Sequence, residues 1–213
     1  MAITTYGELQ AAAANWLVRG DLTARIPEFI ALAEARLNRV LRARLAETEA
    51  ALTATPGGRT ILLPPGFAEP LALWIMQGPD RVALRFIEPS LLGATSLQGQ
   101  PASWSIDGAT LALDRPCDQA YALVFRILTK FALSDAAPVN ALLTDAPDVY
   151  LFAVLAEAGP FLRDEELAQA YEDRLSRAVA ELNAKDARSR APRTLATDLP
   201  RRVEAAFDIT RGP

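Results

Sequence analysis

The sequence predicts an α+β fold. Helices from the two ends of the chain form one antiparallel bundle, a β-rich domain is inserted between them, and an extended arm closes the chain. Three observations predict it. Apolar residues recur at helical spacing near both ends, the middle breaks into short runs separated by Gly and Pro turns, and neither pair of terminal helices can bury its apolar stripe alone. The implied boundaries are 1–46 and 134–187 for the discontinuous bundle, 47–133 for the inserted domain and 188–213 for the arm.

Thr5 opens the first helix, with Glu8 three residues on to complete a capping box. Tyr6, Leu9, Ala13, Trp16 and Leu17 form its apolar face, and Gly20–Asp21 is the expected stop. Pro27 sits at the start of a stronger helix with a stripe of Phe29, Ile30, Ala33, Leu37, Val40 and Leu41. Its other face carries Glu28 and Glu34 early and Arg36, Arg39, Arg42 and Arg44 late, which suits the helix dipole. That arginine row reads either as a solvated face or as a contact with another subunit or with nucleic acid.

From Glu47 the period changes. Glu47 to Thr55 alternates and Arg59 to Leu63 answers it across Pro56–Gly57–Gly58, which predicts a hairpin. Leu71 to Met76 reads as a buried strand, Val82 to Ile87 as its return, and Glu88 to Leu92 as one helical turn. Ala102 to Ile106 and Ala109 to Leu113 flank Asp107–Gly108, a hairpin with a type I′ turn. In Gln119 to Lys130, Tyr121, Leu123, Phe125 and Ile127 share one face of a long strand. About seven strands result.

Thr144–Asp145 and Pro147 are placed to start a third helix, and Gly159–Pro160 to end it. Asp164, Glu165 and Glu166 then lie at the positive end of a fourth, whose stripe is Leu167, Tyr171, Leu175, Ala178, Val179 and Leu182. After Ala187 prolines at 192, 200 and 213 forbid a long helix. From Lys185 onward there are seven Lys or Arg against four Asp or Glu, in a chain whose net charge is −4, so the end is basic while the whole is acidic. Leu195, Leu199, Val203, Phe207 and Ile209 give this segment more large apolar groups than a solvated tail needs. It reads as an arm that docks, either on a partner or on its own domain.

The residue inventory narrows the chemistry. With 213 residues, 51% of them apolar, the chain can bury a real core. It has no histidine, so a hydrolytic triad and a His-assisted cysteine are excluded, along with the commonest metal ligand. The single cysteine, Cys117, lies beside Asp114 and Asp118, which disfavour a thiolate. Asp164, Glu165 and Glu166 could pair for glycoside hydrolysis, but a first helical turn explains them without it. No glycine-rich phosphate loop and no acidic calcium loop is present. Trp16, Trp74 and Trp104 read as core or interface anchors. No catalytic, cofactor or metal site is expected. Neither a signal peptide nor a membrane-spanning run is apparent, and a soluble protein in a reducing cytoplasm is the expectation.

Several stretches resemble the head–tail adaptor proteins of tailed phages, also called tail tubular protein A-like or head-to-tail connector proteins in short-tailed phages. They are Thr5-Tyr-Gly-Glu-Leu, Asn15-Trp-Leu-Val-Arg-Gly-Asp-Leu22, Ile26-Pro-Glu-Phe through Arg39, Leu62-Leu-Pro-Pro-Gly-Phe67, Trp104-Ser-Ile-Asp-Gly and, most specifically, Leu142-Leu-Thr-Asp-Ala-Pro-Asp-Val-Tyr-Leu151 with Ala156-Glu-Ala. The resemblance covers residues 3 to 186. It implies a structural virion protein without catalysis or cofactor. Such a protein is a homo-oligomeric ring, usually a dodecamer, at the head–tail junction under the portal protein, made in the host cytoplasm. The ring extends the DNA channel without sequence-specific binding and carries the tail nozzle or fibres.

Two candidate surfaces follow from that reading. Arg36, Arg39, Arg42 and Arg44 would face Asp164, Glu165, Glu166, Glu172 or Asp173 of a neighbouring copy, registering the ring more than stabilising it, since exposed ion pairs contribute about 0–1 kcal/mol. Arg193, Leu195, Leu199, Arg201, Arg202, Val203, Phe207 and Ile209 would dock on the portal. The alternatives are an α+β binding module whose basic tail takes nucleic acid or a partner protein, and a cell-wall-degrading enzyme.

Overall fold

In a computed structural model, which describes residues 2–41, 44–93 and 95–190, helices from both ends of the chain enclose one core and a two-sheet β region lies between them in sequence. The helices are α1 (Tyr6–Leu17), α2 (Ile26–Val40), α3 (Ala141–Asp145), α4 (Pro147–Leu162) and α5 (Glu165–Arg190). The strands are β1 (Glu47–Ala54), β2 (Thr60–Leu62), β3 (Phe67–Gln77), β4 (Asp80–Ala83), β5 (Arg85–Phe86), β6 (Ser103–Asp107), β7 (Thr110–Leu113) and β8 (Tyr121–Thr129). The α+β class and the order of helical ends around a β middle hold; the strands number eight among the described residues.

Helix α1 starts as its capping box requires. The Thr5 hydroxyl accepts from the Glu8 amide at 3.3 Å, and Glu8 Oε2 accepts from the Thr5 amide at 3.1 Å. It ends earlier than Gly20 predicts, because Val18 takes the left-handed cap position with φ +52°. Helix α2 starts with Pro27 in its first turn and buries Phe29, Ile30, Ala33 and Leu37. Val40 is exposed, and Leu41, the first residue past the helix, is buried in its stead.

Helix α4 is the hub. Val149, Tyr150, Leu151, Ala153, Val154 and Leu155 are all buried, so it is apolar around its whole circumference, as a helix wrapped by others must be. The helices α1, α2 and α5 pack around it. Thr144 and Asp145 do not cap α4; they belong to the short α3, which Asn140 caps by accepting from the Leu143 amide at 2.8 Å.

Gly159–Pro160 does not end α4 either. The helix runs through both to Leu162, and Arg163 closes it in a left-handed cap with φ +56°. The glycine serves packing instead: a Cβ on Gly159 would stand 2.5 Å from Ala168 Cβ and 2.7 Å from its Cα, so α4 and α5 approach here too closely for any side chain. The stripe of α5 packs as expected, with Leu175 and Leu182 buried and Leu167, Tyr171, Ala178 and Val179 partly so.

The eight strands form two four-stranded sheets, ordered β1-β8-β3-β4 and β2-β7-β6-β5. Their inner faces meet over Leu73, Ile75, Trp104, Leu111, Leu113, Leu123, Phe125 and Ile127. Burying each such side chain contributes about 1.5–3 kcal/mol. The predicted β1–β2 hairpin does not form. β1 pairs with β8 along its whole length, from Glu47↔Leu128 to Ala54↔Tyr121, and β2 pairs with β7 in the other sheet. The Pro56–Gly58 turn is tied to the Cys117 loop, with Gly57 donating to the Cys117 carbonyl at 2.7 Å and Cys117 donating to that of Gly58 at 3.0 Å.

The predicted return strand, Val82 to Ile87, is split at Leu84, where the chain leaves one sheet for the other: the Leu84 amide bonds Leu73 O, and the Arg85 amide bonds Ala102 O. The β6–β7 hairpin forms as expected, but its two-residue loop is Gly108–Ala109. Only Gly108 has a left-handed φ, so the turn is not type I′, which needs positive φ at both positions. Pro70 is accommodated in β3 beside an irregularity in the β8 pairing, where β4 does not reach it.

Polar groups of α2 join the two parts. Asn38 Oδ1 accepts from the Phe131 amide at 2.7 Å, and Asn38 Nδ2 donates to the Phe131 carbonyl at 2.9 Å. Glu34 Oε1 accepts from the Leu133 amide at 2.7 Å and from the Tyr150 hydroxyl at 3.1 Å. The chain leaving β8 is thus held to the helices, and Leu128, Phe131 and Leu133 complete the helical core.

Candidate functional site

The charged faces of α2 and α5 are where a partner contact is expected, and the structure sorts them into groups already paired and groups left open. Arg36 is paired within its own chain. Its guanidinium bonds Glu172 on α5 and lies 3.5 Å from Glu157 on α4, so one cation ties three helices together. The hydrogen bond to Glu172 raises the Arg36 pKa above its ordinary value, against partial desolvation. Glu157 escapes a reading based on rows of like charge. A signal for it exists, however: it is the one charged residue between Val149 and Leu162, and a lone charge in an apolar helix needs a partner.

The remaining candidates are not brought together. Arg39 is exposed on α2. Arg44 begins a 3-10 turn that ends at Ala46, before β1, and Arg42 lies outside the described residues. Asp164 caps α5, its Oδ1 accepting from the Leu167 amide at 2.9 Å. Glu165 and Glu166 are exposed in the first turn. Asp173 accepts from Gln169 at 2.9 Å on the exposed side of α5. Arg193, Leu195, Leu199, Arg201, Arg202, Val203, Phe207 and Ile209 all lie outside the described residues.

Two features of these helices carry no signal in charge patterning. One is a surface aromatic cluster. Trp16, from α1, lies 6.2 Å from both Phe152 and Tyr171, and Arg174 stands over the Tyr171 ring at 5.7 Å and the Phe152 ring at 6.0 Å. Trp16 remains 43% exposed, so it is an anchor at the surface, while Trp104 is the buried one at 2%. The other is a groove of about 270 Å³ between α2 and α5, lined by Leu37, Val40, Leu175 and Val179 with Arg36 at one end.

Among the described residues, the acids and the cysteine weighed for chemistry lie apart. Asp164 is committed to its cap, and Glu165 and Glu166 face solvent. Cys117 is buried in the β region, where desolvation first and then Asp118 and Asp114 raise its pKa. Among the described residues, no group of three or more His, Cys, Asp or Glu is placed to hold a metal ion. No helix among them is long and apolar enough to cross a membrane.

Comparison with known proteins places this arrangement. No curated protein matches the chain. The family model of the SU10 adaptor protein matches residues 4–198, which takes in both helical ends and the whole β insertion. By that match the chain belongs to the SU10 adaptor protein family, a family of phage adaptors.

Proposed function

We propose that this chain is a head–tail adaptor that docks on the portal, extends the DNA channel and provides the attachment platform for the tail nozzle or fibres. The family match over residues 4–198 carries the reading. The family is structural and is not known as enzymatic, and it points to a location in the virion and to other phage head and tail proteins as partners. The finer assignment is ours: a homo-oligomeric ring, dodecameric in the usual form of such connectors, at the head–tail junction, with genomic DNA passing through unbound by sequence.

Three parts divide the work. The bundle of 1–46 and 134–187 builds the ring wall, the insertion of 47–133 projects from it, and the arm expected from 188, which α5 by running on to Arg190 cuts back to 191–213, reaches the portal. The net charge of −4 suits a channel that passes DNA without gripping it, because a basic lumen would bind phosphate through counterion release. Arg39, Glu165, Glu166 and Asp173 remain as candidates for contact with a neighbour, whereas Arg36 and Glu172 already satisfy each other within one chain.

The test is the mass of the chain mixed with its portal, by light scattering after size exclusion, for the full chain and for one lacking residues 191–213, which keeps α5 whole. A large complex that is lost on truncation supports the connector and puts docking in the arm. No complex from a folded chain, together with a salt-dependent affinity for DNA, would replace this reading with that of a binding module with a basic tail.

A further inference from the structure

The two flanks of α5 are unlike, and they face opposite ways. One carries the Trp16 cluster with Arg174; the other forms the groove with α2, where Asn183 lies. Arg174 and Asn183 are nine positions apart, about 180° around a helix at 100° per residue. An apolar projection and an apolar groove on opposite sides of one layer are what a heterologous contact needs. Copies set side by side bring the projection of each to the groove of the next.

Val18 supplies an independent observation. It follows Trp16 closely, is 86% exposed, and holds φ +52° at the end of α1. A β-branched residue is strained in the left-handed region, where glycine or asparagine is the usual choice. Gly20 stands two residues later with an ordinary φ and open space where a Cβ would be, so the chain has its glycine where any residue fits. An isolated monomer is worse off for this placement twice over, in backbone strain and in exposed apolar surface. A partner that covers the valine accounts for both.

The charges beside the two features are complementary. Arg174 flanks the projection, and Arg19 beside it is already held by Asp21 through two hydrogen bonds of 2.7 Å. Past Arg36, which holds Glu157 and Glu172, the groove continues into a hollow where Glu165 is exposed. A basic group therefore borders the apolar projection, and an exposed acid borders the end of the apolar groove.

We propose that Trp16 and Val18 of one copy seat in the α2/α5 groove of a second copy of this chain, with Arg174 facing Glu165. The contact deepens the ring reading above and rests on it. It also gives the exposed acid of the first turn of α5 a partner other than the arginine row of α2.

Single-cysteine variants test it in the full chain, assembled alone at high concentration and on the portal. Cys117 stays silent because it is buried at 0% exposure. A mixture of Val18→Cys and Val179→Cys, treated with a short bismaleimide, gives a covalent dimer that neither variant gives alone. The double variant gives a ladder beyond the dimer. Val18→Gly separates contact from folding: release of left-handed strain raises its melting temperature by about 2–4 °C, while its self-association weakens by on the order of tenfold. Normal assembly with no cross-link in the mixture, or normal assembly of Val18→Gly, overturns this contact and leaves the ring intact. Failure of the unaltered chain to assemble, alone and on the portal, overturns the ring and the contact together.

Discussion

Trp104 is buried in the core of the β region and Glu34 is half-buried among the helices, and their surroundings differ in kind. Around Trp104 the β region is apolar: its ring meets Phe86 edge-on at 4.9 Å and Phe125 at 5.4 Å, and its Nε1 donates to the Leu84 carbonyl at 3.2 Å. Around Glu34 the helical layer is laced with side-chain hydrogen bonds to the backbone, to Tyr150 and, through Tyr150, to Asn140 at 2.7 Å. The difference follows from what fixes each region. Strands are registered by their ladders, so side chains need only fill space. Helices slide and rotate past one another unless something directional stops them, and α2 carries those stops in Glu34, Arg36 and Asn38.

The contrast can be broken most severely at the tryptophan. Trp104→Ala leaves a large cavity between the sheets and should cost about 3–5 kcal/mol in urea unfolding. Arg36→Met should cost less, about 1–2 kcal/mol, because the pair is partly solvated. Its signature is salt dependence: the deficit narrows in high salt, where the two abandoned carboxylates repel less, and the deficit of Trp104→Ala does not.

Glu34 makes the stability of the helical layer depend on pH. Desolvation raises the Glu34 pKa above its ordinary value, against the opposing hydrogen bonds of Tyr150 and Leu133. The folded state therefore binds the proton more tightly than the unfolded one. Stability falls as pH rises from the unfolded pKa through the folded one and is flat beyond. Glu34→Gln removes that decline, so the ratio of its stability to that of the unaltered chain should rise across the window in thermal melts. An unchanged pH profile would mean that Glu34 does not titrate as its burial requires. The smallest effect belongs to Ser105, whose hydroxyl is the one buried side-chain polar group among the described residues without a hydrogen-bond partner. Ser105→Ala should be neutral or stabilising by up to about 1 kcal/mol, since nothing directional is lost in a space-filled core.

Local rules read well where the structure is local. The Thr5–Glu8 box, Pro27 in the first turn of α2, the β6–β7 hairpin and the alternating face of β8 all depend on neighbours within a few residues. The misreadings arise where a distant segment decides. Pro56–Gly57–Gly58 looks like a hairpin turn, yet β8, some seventy residues on, competes for β1 and wins its full length. Gly159–Pro160 looks like a stop, but Ala168 needs the glycine's missing side chain more than the helix needs to end. The candidate contact residues show the same limit: the arginine row is visible in the sequence, but that Arg36 is spent on Glu157 and Glu172 appears only once α4 and α5 are in place.

Because α1 and α2 share their core with a helix from the other end of the chain, they face a delay during synthesis. The stripe of Phe29, Ile30, Ala33 and Leu37 is covered mainly by α4, whose first residue is Pro147. Roughly one hundred residues separate the two, and at about 5–20 residues per second their translation takes about 5–20 s. The β insertion is made wholly within that interval and can close its own sandwich first. The first two helices wait with a bare apolar face, and the helical half of the molecule forms last, at about the moment it becomes able to meet its neighbours.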